Sequence, residues 1–169
     1  QNSIDQFFYE DNGKKYMFWG SFRGIYATEL TDNGLEIKKK TDGTPVLKKR
    51  ICGNRFEGTN IYKRGEYYYL FASIGTCCNG ATSTYQTVVG RSKNVLGPYL
   101  DKTGRDMLYD YCEIIMSGNE TWAGPGHNSI LIQDDVGTDW IIYHGYKKKE
   151  AENGRYVLMD KLIWSNDGW

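Results

Sequence analysis

Apolar and polar residues along this chain alternate over short runs and do not recur every three or four positions, so strands joined by tight turns are predicted, with little helix. The pattern comes round three times. The first run is S-I-D-Q-F-F-Y-E-D-N-G-K-K-Y-M-F-W-G-S from Ser3 to Ser21, and the second is R-F-E-G-T-N-I-Y-K-R-G-E-Y-Y-Y-L-F-A-S from Arg55 to Ser73. The third is G-H-N-S-I-L-I-Q-D-D-V-G-T-D-W-I-I-Y-H-G from Gly126 to Gly145. In each, a titratable residue (Asp5, Glu57, His127) precedes a short apolar strand, a Gly-containing turn and an aromatic strand that ends in small or polar residues. The turns D-N-G-K, K-R-G-E and D-V-G-T between strand-forming runs predict β-hairpins. A further strand is predicted after each hairpin, over Gly24–Glu29, Tyr85–Ser92 and Arg155–Trp164. From Pro98 through Gly104 to Met116 no period is legible, and this stretch is read as loop with a short strand at most.

Asp5, Glu57 and His127 are separated by 52 and 70 residues. A unit of several antiparallel strands, repeated at such intervals around one fixed polar position, implies an all-β fold of propeller blades. The blade-like repeats cover approximately 1–50, 51–120 and 121–169 of a single domain. The first strand of each propeller blade lines the central axis, so three residues distant in sequence would face one cavity.

Composition adds little about partners. Lys plus Arg and Asp plus Glu number 21 each in 169 residues, so no basic excess recommends nucleic acid or an anionic membrane. No apolar run reaches the roughly 20 residues that span a bilayer. Fourteen Tyr, five Trp and six Phe suit both sheet cores and sugar binding, since aromatic rings offer flat apolar faces. Cys52, Cys77, Cys78 and Cys112 lack the paired spacing of a zinc site and are expected as free or merely packed thiols. The runs K-K-K-T-D-G and Y-K-K-K-E are read as solvated surface, and His144 as structural.

An Asp and a Glu in one cavity suit glycoside hydrolysis, which needs one carboxyl to protonate the leaving oxygen and a second to activate water or attack the sugar. The segments N-S-I-D-Q-F-F-Y-E-D-N-G-K-K-Y-M-F-W-G-S-F, F-E-G-T-N-I-Y-K-R-G-E-Y-Y-Y-L-F-A-S, S-T-Y-Q-T-V-V-G-R-S-K-N-V-L-G-P-Y, G-P-G-H-N-S-I and I-W-S-N-D-G-W resemble family 43 glycoside hydrolases, particularly the endo-arabinanase branch. The resemblance implies a five-bladed β-propeller, of which this chain would hold about the last three blades. It also implies inverting hydrolysis of α-1,5-linked arabinan or related arabinosides, and an extracellular or periplasmic location. Glu57 in F-E-G-T then matches the general acid, although many relatives read E-A-P there. Asp5 in S-I-D-Q matches the Asp that tunes the acid's pKa, although Gln6 stands where the family usually has Pro. His127 matches a histidine that holds calcium through a largely aqueous shell. Ser21, Arg91 and Asn128 match positions that line or support the substrate cavity, and the implied ligand is an arabinose-containing polysaccharide or oligosaccharide.

In relatives the catalytic base lies in an H-D-P-like segment well upstream of the tuning Asp, whereas here only four residues precede Asp5. The expectation is therefore a chain with little activity alone, whose unpaired sheet faces call for a missing N-terminal segment or self-association. The alternative is a non-catalytic carbohydrate-binding propeller that kept the cavity.

Overall fold

A computed structural model describes residues 2–169. Its twelve strands form three antiparallel sheets that follow one another along the chain. The first blade is β1 (Phe7–Asp11), β2 (Lys14–Trp19), β3 (Ile25–Glu29) and β4 (Lys48–Cys52), paired in that order. The second is β5 (Glu57–Arg64), β6 (Tyr67–Ile74), β7 (Gln86–Ser92) and β8 (Glu113–Met116), with the same simple meander. Each inner pair is a tight hairpin in which Gly13 or Gly65 takes the left-handed conformation the turn requires.

The third blade departs from the predicted pattern. A single strand was expected after His127, but the innermost strand is broken into β9 (Trp122–Gly126) and β10 (Ile132–Gln133), both paired with β11 (Asp139–Lys147). His127 has φ +50°, which turns the chain out of the sheet at that point. The Ser129 amide keeps the excursion attached by donating to the Ile142 carbonyl at 2.8 Å. β12 (Tyr156–Leu162) then pairs along β11 and forms the edge of the sheet. β4 was not expected at all. Its first three residues, Lys48 to Arg50, are exposed at the blade's outer edge, so no apolar alternation marks them.

Alternation along β6 builds both cores. Leu70, Ala72 and Ile74 point to the side of the first blade and join Phe18, Ile25, Phe56 and Val88 in one cluster. Tyr69 and Phe71 point the other way and join Val89, Leu131 and Ile141 in a second. This explains why Y-Y-Y-L-F-A-S-I is a nearly continuous buried run: a sheet covered on both faces needs apolar residues on both. The outward faces of the flanking blades are covered only in part. Phe8 of β1 is 52% exposed, and Val157 and Met159 of β12 are 80% and 57% exposed.

Candidate active site

The repeat's three polar residues do converge. Asp5 sits just before β1 with φ +56°, Glu57 opens β5, and His127 follows β9. The Gly58 amide donates to Asp5 Oδ2 at 3.2 Å, which sets the Asp5 carboxyl beside the residue next to Glu57 across the blade boundary. Asp5 Oδ1 lies 4.0 Å from His127 Nε2. The His127 ring rests against Gly58, where an added β-carbon would come within 3.1 Å of it. The His127 amide donates to Ser73 Oγ at 2.7 Å, tying the third blade to the second.

Glu57 is buried and held at both oxygens. Ser21, two residues past the end of β2, donates to Oε2 at 2.7 Å, and the Tyr85 phenol donates to Oε1 at 2.5 Å. Ser21 was expected to line or support the substrate cavity, and its buried hydroxyl is committed to Glu57. Tyr85 was not anticipated as a site residue. Its signal in the sequence is a polar-tipped aromatic at the head of the third strand of the second repeat, outside the repeated polar position. Its phenol oxygen is also 3.5 Å from His127 Nδ1, and its ring stacks on His144 at 5.8 Å. Burial, followed by the Glu57 hydrogen bond, pushes the Tyr85 phenol far above its ordinary value, so it stays a neutral donor.

His144 also stacks on His127, with ring centroids 6.3 Å apart. Arg155 approaches its Nε2 at 3.2 Å, which assigns the ring hydrogen to Nδ1, a buried atom with no partner. Burial, helped by Arg155 and His127, pulls this imidazole down to about 4. The Asp5 carboxyl moves the other way. Burial holds it above its usual range and Glu57 adds to the rise, while His127 and the Gly58 amide oppose it.

Asn128 is buried beside His127, and its backbone carbonyl accepts from Asn60 Nδ2 at 3.1 Å. Both asparagines, with Asp5, Gly58 and His127, line a depression of about 340 Å³. Asn60 Oδ1 and Asn128 Oδ1 are buried without partners. Among the described residues no three His, Cys, Asp or Glu side chains gather to hold an ion by themselves. One imidazole, one carboxylate and two free amide oxygens fit a hard cation that keeps most of its shell as water, and do not fit an all-protein cage.

Arg91 is not brought to this cluster. In the second blade Glu57 stands opposite Ser73 and Ser73 opposite Thr87, whereas Arg91 pairs with Tyr69 further along β7. At the rise of an extended strand that separation is about 13 Å. There its guanidinium lies 4.4 and 4.3 Å from the rings of Tyr67 and Trp169 and donates to the Asp167 carbonyl at 2.8 Å. The expectation placing it in the cavity is corrected: stacking and the carbonyl hold it at the blade's outer end.

The cysteines need a second correction. Cys77 and Cys78 are joined to each other by a disulfide in the loop between β6 and β7, while Cys52 and Cys112 are free. This loop begins after Ile74, next to Ser73, and returns at Tyr85, so it borders the site.

Comparison with known proteins decides the family. The sequence profile of glycosyl hydrolases family 43 matches residues 1–169. The chain belongs to glycosyl hydrolase family 43. It is 36% identical over 170 residues to an extracellular exo-α-(1→5)-L-arabinofuranosidase of Cellvibrio japonicus, covering 95% of this chain and 48% of that protein. It is 35% identical to an extracellular endo-α-(1→5)-L-arabinanase of Bacillus subtilis, covering 99% and 50%. Among solved structures, an exo-1,5-α-L-arabinanase from a bovine ruminal metagenomic library superposes with a TM-score of 0.82 at 36% identity, over 98% of this chain and 55% of that one. The α-L-arabinanase of Cellvibrio cellulosa complexed with arabinohexaose gives 0.81 at 34% identity, again over 98% and 55%. These relatives are five-bladed β-propellers, and the three sheets are blades of that fold. The chain spans about half the length of the relatives it matches.

Proposed function

We propose that the enzyme to which this chain contributes hydrolyses α-1,5-linked arabinan with inversion of configuration. Glu57 protonates the departing glycosidic oxygen, and Asp5 orients the acid and adds negative charge beside it. The carboxylate that activates water comes from the half of the family's propeller that this chain does not span. The observation that supports the reading is the juxtaposition at the blade boundary, where the Asp5 carboxyl accepts from the amide next to Glu57, with Glu57 buried and the Asp5 side chain 16% exposed. Two carboxyls so placed can be driven apart in acidity by burial and by each other. His127 would hold a calcium ion through a mostly aqueous shell, with Asp5 and Asn128 nearby. When bound, such an ion supplies fixed positive charge at the floor of the cavity. Two of the matched relatives are extracellular by name, which supports secretion as part of the same reading.

The test is arabinan hydrolysis by the full-length gene product and its Glu57→Gln variant, with the anomeric configuration of the first product read by NMR. The expected result is cleavage with inversion and a loss of about 10² to 10⁴ in rate for the variant. Equal cleavage by both proteins removes Glu57 from the acid role. A product that binds arabinan and never cuts it replaces the enzyme reading with a binding one.

A further inference from the structure

Two neutral hydroxyls, arriving from different blades, grip the two oxygens of Glu57. Ser21 belongs to the first blade and Tyr85 to the second, and the third blade fixes Tyr85 in turn. The Tyr85 ring is fully buried against Gly126 of β9 and stacked on His144 of β11. A β-carbon at Gly126 would stand 2.3 Å from Tyr85 Cδ1, so the glycine is what lets the ring reach Glu57.

From this geometry we infer that Tyr85 and Ser21 are positioning residues that fix the carboxyl plane of Glu57 for proton delivery to the leaving oxygen. The inference rests on the reading of Glu57 as the general acid. A carboxyl held at one oxygen can still turn about its terminal bond, whereas one held at both presents its proton in a single direction. Alignment of that kind is a large part of what a preorganised acid supplies. The chemistry of the donors matters as well. Each carboxyl oxygen keeps a second lone pair, so both hydroxyls can go on donating whether or not Glu57 carries the proton meant for the leaving oxygen. Lys or Arg in the same places would add positive charge and hold Glu57 as the anion.

The experiment compares Tyr85→Phe and Ser21→Ala with Glu57→Gln in the full-length gene product, on arabinan and on a dinitrophenyl arabinoside. The dinitrophenolate leaves without protonation, so only the arabinan reaction needs a well-aimed acid. For Tyr85→Phe the expected result is a fall in kcat of about 10- to 100-fold on arabinan, with less than about 3-fold on the aryl substrate. Phenylalanine keeps the ring's packing, and the Tyr85→Phe/Glu57→Gln double variant supplies a second readout. If Tyr85 acts through Glu57, the double variant is no slower than Glu57→Gln alone; a merely structural role multiplies the two losses. Equal loss on both substrates, or none on arabinan, while Glu57→Gln keeps its own leaving-group dependence, overturns the grip and leaves the acid in place. If Glu57→Gln slows both substrates alike, the acid reading fails first and takes the positioning role with it.

Discussion

The Tyr62 hydroxyl donates to Asp139 Oδ1 at 2.7 Å, joining the second blade to the third. Asp139 is buried, and its other oxygen accepts from Trp164 Nε1 at 2.7 Å while Gln133 reaches Oδ1 at 3.1 Å. Burial, with the carboxylate beside it, pushes the Tyr62 phenol up to about 12, so it remains a donor at any physiological pH. Replacing Asp139 by Ala leaves a phenol and an indole N–H unpaired at a packed boundary. Asp139→Ala is expected to cost about 3 kcal/mol, read as a lower urea midpoint with unchanged slope. A shift of a few tenths would mean the boundary is held by the apolar cluster alone.

Gly126 touches no substrate in the proposed mechanism, yet it sets where Tyr85 stands. Gly126→Ala is expected to push the ring off Glu57 and reduce arabinan hydrolysis about tenfold or more, since small displacements of reacting groups are costly. Steady-state kinetics, with melting followed in parallel, checks this. Full activity in the variant would mean that the ring moves without consequence.

His144 makes stability depend on pH with a definite sign. Its folded value, about 4, lies below the ordinary 6.5, so the folded state binds its proton less readily than the unfolded chain. The stabilisation is present above about 6.5 and is lost as the pH falls toward about 4. Melting temperature recorded across that window should fall more steeply for the native protein than for His144→Phe, which keeps a ring against Tyr85 and cannot titrate. Parallel curves would show that His144 is not the group responsible.

The adjacent cysteines can be checked by alkylation. In denaturant without reductant, Cys52 and Cys112 are expected to react and Cys77 and Cys78 to stay blocked; after reduction all four should label. Peptide mass mapping distinguishes the cases, and four labelled cysteines before reduction would remove the disulfide.

Hairpins, and the recurrence of Asp5, Glu57 and His127 at their heads, were legible because both are local. Period-two alternation and a left-handed glycine turn leave a direct trace in the sequence. Arg91 was misplaced because G-R-S sits on the correct strand but at its outer end, and a strand's position along its blade is set by register with β6, which no short motif states. Tyr85 was missed for the converse reason. It lies outside the repeated polar position, and only the packing of three blades reveals that its hydroxyl reaches Glu57. The adjacent cysteines carried no periodic or spacing signal, so their bond was invisible.

The amino-acid order by itself determined that this is a repeated β-meander with one polar residue at the head of each repeat, because strand period, turn chemistry and repetition are properties of neighbours along the chain. The tertiary structure decided what those residues touch: that Asp5 meets Gly58, that two hydroxyls from separate blades close on Glu57, and that Arg91 faces Trp169. Such contacts depend on how sheets stack and twist against one another, and a difference of one residue in register or a few ångströms in packing changes them without altering the local pattern at all.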